Sequence, residues 1–244
     1  HILIAVGTSP YRPASVAFDD HHILDSDAFI ETPRLPKSLT VVGAGVIGVE
    51  YATIMSALDI PVTIIEPRET MLDFIDGEII DYLLHQLRDR GISVRLGVSV
   101  EKVVLQKNVV RATTSDGRTV SSDMLLYAAG RIGATSGLGL ENCGLEADSR
   151  GKLTVDVKTM QTTVPHIYAA GDVIGFPSLA STSMEQGRIA ACHAFGAPLP
   201  KGAEIFPFGI YAVPEISSVG MTEAAARAAG LQFEVGVARL RETS

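Results

Sequence analysis

Cysteine is scarce in this sequence. Cys143 and Cys192 are the two cysteines in 244 residues, and they form no C-x-x-C or C-x4-C pair. Such usage excludes a disulfide framework, a zinc knuckle and a redox dithiol, and it suits a reducing cytoplasmic setting. Long apolar runs are also lacking: the stretches 41–49 and 210–213 are cut by glycine or charge, well short of the roughly 18 residues that a membrane span requires. Nor is there an excess of positive charge. Twenty Lys and Arg against 28 Asp and Glu give a net charge of −8 at pH 7, so the broad cationic field that binds nucleic acid or anionic lipid is absent, and neither is expected as a partner. No charged-then-apolar leader opens the chain, and no period of about 20–50 residues marks a solenoid. What opens the chain is the apolar run 1–7, with no initiator Met before it, which is expected of a piece cut from a longer protein. The hydrophobic share of 46% against 20% charged suffices for a sizeable core.

The run 1–7 reads as a buried strand entering a turn. Residues 8–36 carry Pro10, Pro13, Pro33 and Pro36 among Asp and His, a composition that resists regular structure and places a boundary near Pro36. From 39 to 66 the pattern is strand, glycine turn, helix over 46–58 and strand over 62–65, the rhythm of a parallel βαβ unit. An amphipathic helix over 76–90 follows. Three β-rich runs, 93–104, 109–114 and 118–120, are separated by Lys107-Asn108 and Asp116-Gly117 and predict an antiparallel meander. A buried strand is expected over 124–129, a glycine-rich crossing over 132–151, strands over 154–162 and 166–170, and a helix over 179–195 stopped by Gly196, Pro198 and Pro200. Strands at 210–213 and 216–219 and a helix at 222–229 form a last unit, from about Phe206, too short to close a core of its own.

The chemistry begins at Gly43-Ala44-Gly45-Val46-Ile47-Gly48, directly after the strand at 39–42 and opening a helix. A bare G-x-G-x-x-G is a weak signal, since an ordinary glycine turn between strand and helix reads the same. Here Glu66 ends the next strand, 23 residues beyond Gly43, where an acid that binds an adenosine ribose belongs. Gly43 permits the tight turn, Gly45 lets a pyrophosphate approach the backbone, and Gly48 lets helix and strand close together, while the helix N-terminus offers N–H groups to an anion. A carboxylate at 66 accepts from ribose hydroxyls and repels a 2′-phosphate, so NAD is favoured over NADP as the nucleotide. Arg68 softens that preference if it pairs with a phosphate; otherwise it is a solvated arginine after a strand.

The second signal is Thr163-Val164-Pro165-His166-Ile167-Tyr168-Ala169-Ala170-Gly171-Asp172. Alone, Asp172 reads as a turn residue or helix cap. Together with the glycine fingerprint, Ile4-Ala5-Val6-Gly7-Thr8 and Tyr127-Ala128-Ala129-Gly130-Arg131, in this order, the chain resembles the flavoproteins with two dinucleotide-binding domains, the FAD-dependent pyridine nucleotide-disulfide oxidoreductases. Asp25-Ser26-Asp27, Met184 to Arg188 and the run from Ile210 to Gly220 look most like the soluble pyridine nucleotide transhydrogenases within that family, with the dihydrolipoamide dehydrogenases next. The resemblance implies that Asp172 holds the flavin ribityl chain, and that Val6, Gly7 and Thr8 form a short strand and turn beside FAD, with Val6 where Thr is usual. It implies further that Gly130 ends the matching strand of the NAD domain, that Val100 belongs to the nucleotide site, and that Ser178, Leu179, Ala180 and Ser181 start a helix facing the flavin pyrimidine. Val49 and Glu50 follow the fingerprint in the same helix, Glu50 matching a glutamate that pairs with a lysine near the flavin.

The implied fold is α/β: a Rossmann-like NAD domain, a parallel sheet with an antiparallel meander, inserted in part of an FAD domain and followed by the start of an α+β interface domain. The implied divisions are 1–35 (FAD-domain strand and linker), 36–131 (NAD domain), 132–203 (FAD domain) and 204–244 (interface domain). The implied activity is hydride transfer between NAD(H) and NADP(H) through FAD in a homodimer. Disulfide reduction and simple NAD binding without turnover stand as alternatives. No catalytic side chain and no metal is expected of this segment, because the flavin carries the chemistry.

Overall fold

The computed structural model describes residues 1–175, 177–199 and 207–238; Phe176, Pro200, Phe206 and the expected cut at 203/204 lie outside them. In chain order the strands are β1 (Ile2–Ile4), β2 (Thr8–Pro10), β3 (Ile23–Leu24), β4 (Leu39–Val42), β5 (Val62–Ile65), β6 (Ser93–Arg95), β7 (Val100–Gln106), β8 (Val109–Thr114), β9 (Thr119–Ser122), β10 (Met124–Tyr127), β11 (Arg131–Gly133), β12 (Ile167–Ala169), β13 (Pro207–Ile210) and β14 (Ile216–Val219). The helices are α1 (Ser26–Ile30), α2 (Val46–Ala57), α3 (Gly77–Asp89), α4 (Ala180–Ala194) and α5 (Glu223–Ala228).

A five-stranded parallel sheet, β3-β10-β4-β5-β6, forms the centre. The inner strands β10, β4 and β5 are apolar apart from Thr40 and Thr63, because both faces are covered. Leu39 and Val41 of β4 and Met124 and Leu126 of β10 join one core with Val49, Ala52 and Met55 of α2 and Ile80, Leu83 and Leu87 of α3. Val42, after Val41, and Leu125, between Met124 and Leu126, point the other way into a second core with Val103, Val110 and Ala112 of the three-stranded antiparallel meander β7-β8-β9. The alternation of strand side chains thus assigns helices to one face and the meander to the other. The fold is the expected α/β arrangement of a Rossmann-like parallel sheet with an antiparallel meander.

Beside this body, β1 and β12 pair as a parallel two-stranded sheet, and β2 pairs with β11. Ile4, Ile167, Ala169 and Val173 meet in a smaller core. The expectation that 1–7 is a buried strand is corrected: β1 is shorter, with Ile2 53% and Leu3 48% exposed, because only β12 pairs with it among the described residues. The hairpin β13-β14 donates Phe208, Ile210 and Ile216 to the large core of the central sheet, with the Phe208 and Phe74 rings edge to face at 4.8 Å.

Other departures arise where long-range pairing or a local cap or turn overrides the composition of the segment. Residues 8–36, read as irregular, contain β2, β3 and α1, the last capped by Asp25, whose side chain accepts from the N–H groups of Asp27 and Ala28. The run 93–104 divides, β6 joining the parallel sheet and β7 the meander. The third run is displaced to Thr119–Ser122, and Arg131–Gly133 forms a strand inside the expected crossing because β2 pairs with it. No strand forms over 154–162; a turn at Asp156–Met160 and one bridge, Gln161 to Tyr168, take its place. The strand expected at 210–213 ends at Ile210, since the N–H groups of Tyr211 and Val213 bond instead to Glu50 Oε1 and Thr53 Oγ1 of α2.

Candidate functional site

The glycine run lies in the turn from β4 to α2. Gly43 has φ +106, and a Cβ there would stand 2.6 Å from the Ala128 carbonyl oxygen; the turn therefore needs glycine because the end of β10 presses against it. Gly48 is tighter, with an added Cβ 2.1 Å from the Gly43 carbonyl oxygen. Gly45 differs: a Cβ there would meet nothing within 4 Å. Gly45 caps α2 without any side-chain bond, and the first helical bond runs from Val49 N–H to the Gly45 carbonyl. The N–H groups of Val46, Ile47 and Gly48 thus have no partner within the helix, and they and the positive end of its dipole are directed at the open side of Gly45. Ala44 and Val49 are buried in the core below. The geometry suits a diphosphate.

Glu66 follows β5 and is 4% exposed. Its Oε2 accepts from the Ala44 N–H at 2.7 Å, which ties the strand end to the glycine turn. Its Oε1 accepts from the Arg68 backbone N–H at 3.1 Å and from Arg68 Nε at 2.9 Å, and Arg68 Nη2 reaches Oε2 at 3.3 Å. Burial alone would raise the carboxyl; the Arg68 and Ala44 hydrogen bonds outweigh it and hold Glu66 below the ordinary glutamate value. Arg68 also contacts Asp73 Oδ2 through Nη1 at 3.2 Å. The arginine is thus folded onto the acid while its side chain stays 45% exposed. Val98, whose N–H donates to the Glu66 carbonyl, is nearer this corner than Val100, which pairs with Thr114 at the start of β7. Glu50 lies one turn into α2, engaged by the Tyr211 N–H at 2.8 Å.

Across the molecule, Asp172 opens a 3-10 turn (Asp172–Ile174) after Gly171, which has φ +81. The Gly171 N–H is held by Gln186 Oε1 of α4 at 2.8 Å. Thr8 Oγ1 donates to Asp172 Oδ2 at 3.5 Å and accepts from Arg131 Nε at 2.7 Å. Arg131 also bonds the Thr8 carbonyl through Nη2 and Asp27 Oδ1 through Nη1. Val6 and Gly7 follow β1, the Gly7 carbonyl accepting from the Ala134 N–H, and the Gly130 carbonyl accepts from the Tyr11 N–H. Leu179 caps α4 and Ala180 begins it, again without a side-chain cap; Ser178 Oγ is turned to the Gly175 carbonyl and Ser181 is exposed.

The fold thus gathers the nominated residues into two groups, Gly43 to Gly48 with Glu66, and Thr8 with Asp172. Reasoning from sequence passed over Arg131, Gln186 and Asp73. Arg131 and Gln186 stand in the runs 127–131 and 184–188 but act across tertiary contacts; Asp73 acts locally, five residues from Arg68, with no motif to mark it. Among the described residues no cluster of ligands for a metal ion occurs, and no helix is long and apolar enough to cross a membrane.

The family model for the pyridine nucleotide-disulphide oxidoreductases matches residues 1–187. The soluble pyridine nucleotide transhydrogenase of Mycobacterium tuberculosis (strain ATCC 25177 / H37Ra) is 48% identical over 242 residues, covering 99% of this chain and 52% of the relative. That of Marinomonas sp. (strain MWYL1) is 44% identical over 243 residues, 100% of this chain and 52% of the relative. The chain therefore spans about half the length of the curated relatives it matches. Among solved structures, LpdA of Mycobacterium tuberculosis superposes with a TM-score of 0.86 at 33% identity, over 93% of this chain and 50% of the other. The HOCl-induced flavoprotein disulfide reductase RclA of Escherichia coli gives 0.84 at 31% identity, over 94% and 53%.

Proposed function

The chain belongs to the pyridine nucleotide-disulphide oxidoreductase family, and from that premise we propose that it serves an FAD-dependent oxidoreductase passing hydride between NAD(H) and NADP(H). The observation that carries the nucleotide half is the open, uncapped helix N-terminus at Gly45 with Glu66 fixed beside it. Residues 36–131 hold the nicotinamide nucleotide, with its diphosphate on the N–H groups of Val46, Ile47 and Gly48. Residues 1–35 and 132–203 contribute to the flavin site, where Asp172 holds the ribityl chain and the start of α4 lends a positive helix end to the pyrimidine edge. The flavin, when bound, accepts and returns the hydride. Residues from 204 begin the interface of a cytoplasmic homodimer. The mid-forties identities to transhydrogenases favour this reading over disulfide reduction, which the likeness to RclA keeps as the second.

Gly45→Val tests the nucleotide site. The added side chain enters open space, so the fold is expected to persist while NADH binding, followed by fluorescence titration, weakens at least about tenfold, roughly the loss of one charge-assisted hydrogen bond. Unchanged affinity would place the diphosphate elsewhere. For the activity, NADPH-driven reduction of NAD by the flavin-loaded full-length protein separates the two readings: rapid disulfide reduction without cross-reduction of nucleotides would favour the second.

A further inference from the structure

A cavity of about 290 Å³ lies away from the glycine turn, with Asp148, Lys152, Leu153, Val155, Met160 and Gln186 in its lining. That volume is close to the lower end of the roughly 300–1,000 Å³ usual for small-molecule sites. Gln186 is 3% exposed. Its Oε1 accepts from the Gly171 N–H at 2.8 Å, which assigns the other end of the amide as Nε2, with two N–H donors. Those donors have no acceptor among the described residues. Nor is Nε2 sealed in protein, since among the described residues Arg95 Nη1 alone is both sealed and without a partner. Nε2 therefore opens on the cavity that Gln186 lines. A second donor is Lys152, a half-buried residue whose backbone N–H is tied to Asp148 Oδ1 at 2.8 Å. Its ammonium packs over Gly175, where an added Cβ would stand 3.4 Å from Nζ, and it too lacks an acceptor among the described residues. Leu153, Val155, Met160 and Ile174 supply apolar walls.

We propose that this cavity binds a small monocarboxylate with an apolar body, a ligand that neither the nucleotide nor the flavin reading calls for. A buried donor without an acceptor is unfavourable. One carboxylate oxygen satisfies Gln186 Nε2, and the other takes the Lys152 ammonium in a charge-assisted hydrogen bond. A single ammonium balances a single negative charge, and Asp148 adds an acid to the lining, so a monoanion fits and a phosphate dianion is opposed. The hydrocarbon body lies against Leu153, Val155, Met160 and Ile174, where its burial adds affinity that a bare acetate ion lacks. Because the other end of Gln186 holds the Gly171 N–H, an occupant also steadies the turn that carries Asp172.

Calorimetric titration of the full-length protein with hexanoate, hexanamide and acetate tests the site. Hexanoate is expected to bind saturably, once per chain, and to raise the thermal midpoint as its concentration rises. Hexanamide lacks the charge and acetate the apolar body, and each should bind at least about tenfold more weakly. Lys152→Met keeps the length of the side chain and removes its charge; it should weaken hexanoate at least about tenfold and leave hexanamide little changed. Gln186→Glu keeps an acceptor for the Gly171 N–H but puts an anion where the inward donor stood, and should abolish hexanoate binding. Lys152→Met remains informative if Gln186→Glu folds poorly. Absence of saturable hexanoate binding to the native protein would overturn the proposal, as would binding that neither variant weakens or equal affinity for hexanoate and hexanamide.

Discussion

Val41 and Leu3 are both aliphatic residues in the middle of parallel strands, yet Val41 is fully buried and Leu3 is 48% exposed. Val41 lies in a sheet of five strands with helices on one face and a meander on the other; Leu3 lies in a sheet of two. A strand's composition states what it would bury, and the number of layers around it decides what it does bury. The comparison extends to the ligand sites. The Glu66 corner is fixed by backbone contacts on a completed sheet, whereas Asp172 depends on long side chains, Arg131 and Gln186, that tie short elements together.

Core truncation should separate the two regions most widely. Leu126→Ala in the central sheet is expected to cost about 2–5 kcal/mol, and Leu3→Ala less than about 0.5 kcal/mol, read as shifts of the urea midpoint at constant slope. Equal losses would mean that β1 is as well covered as β10.

The glycine turn gives the next contrast. Gly48→Ala forces a Cβ into the Gly43 carbonyl and should destabilise by about 1–3 kcal/mol, as overpacking does. Gly45→Ala, with φ −77 and open space, should leave stability within about 0.5 kcal/mol. Thermal unfolding of the two variants measures it; parity between them would show that the turn relaxes freely.

Arg131→Ala cuts the tie between the regions and should cost about 1 kcal/mol, felt locally. Hydrogen exchange is expected to quicken at the β2–β11 pair, including the Ala134 N–H that bonds the Gly7 carbonyl, while β4 and β10 stay protected. Uniform quickening would show that the two regions open together.

The smallest effect is in pH. Glu66 lies below the ordinary carboxyl value of 4.5 in the folded protein, so its contribution is complete above that value and is lost as pH falls through the folded one. The stability advantage of the native protein over Glu66→Gln should therefore be present at neutral pH and shrink in acid. A gap that does not change with pH would show that the Arg68 pair adds nothing by charge.

Much of the Glu66 corner is legible in the amino-acid sequence, because its parts are local: a strand, three glycines at fixed spacing and an acid at the next strand end, each constrained by its own backbone. The sheet at 39–65, the helix over 76–90 and the meander turns follow from periodicity and turn chemistry in the same way. The tertiary structure alone decided the rest. That Arg131 reaches Thr8 across 123 residues of chain, and that residues 154–162 form a turn where β composition suggests a strand, both depend on which surfaces meet. So does the exposure of β1. Local conformational preferences are set residue by residue along the chain, but pairing partners and cover are properties of the assembled molecule, decided by contacts between residues far apart in sequence.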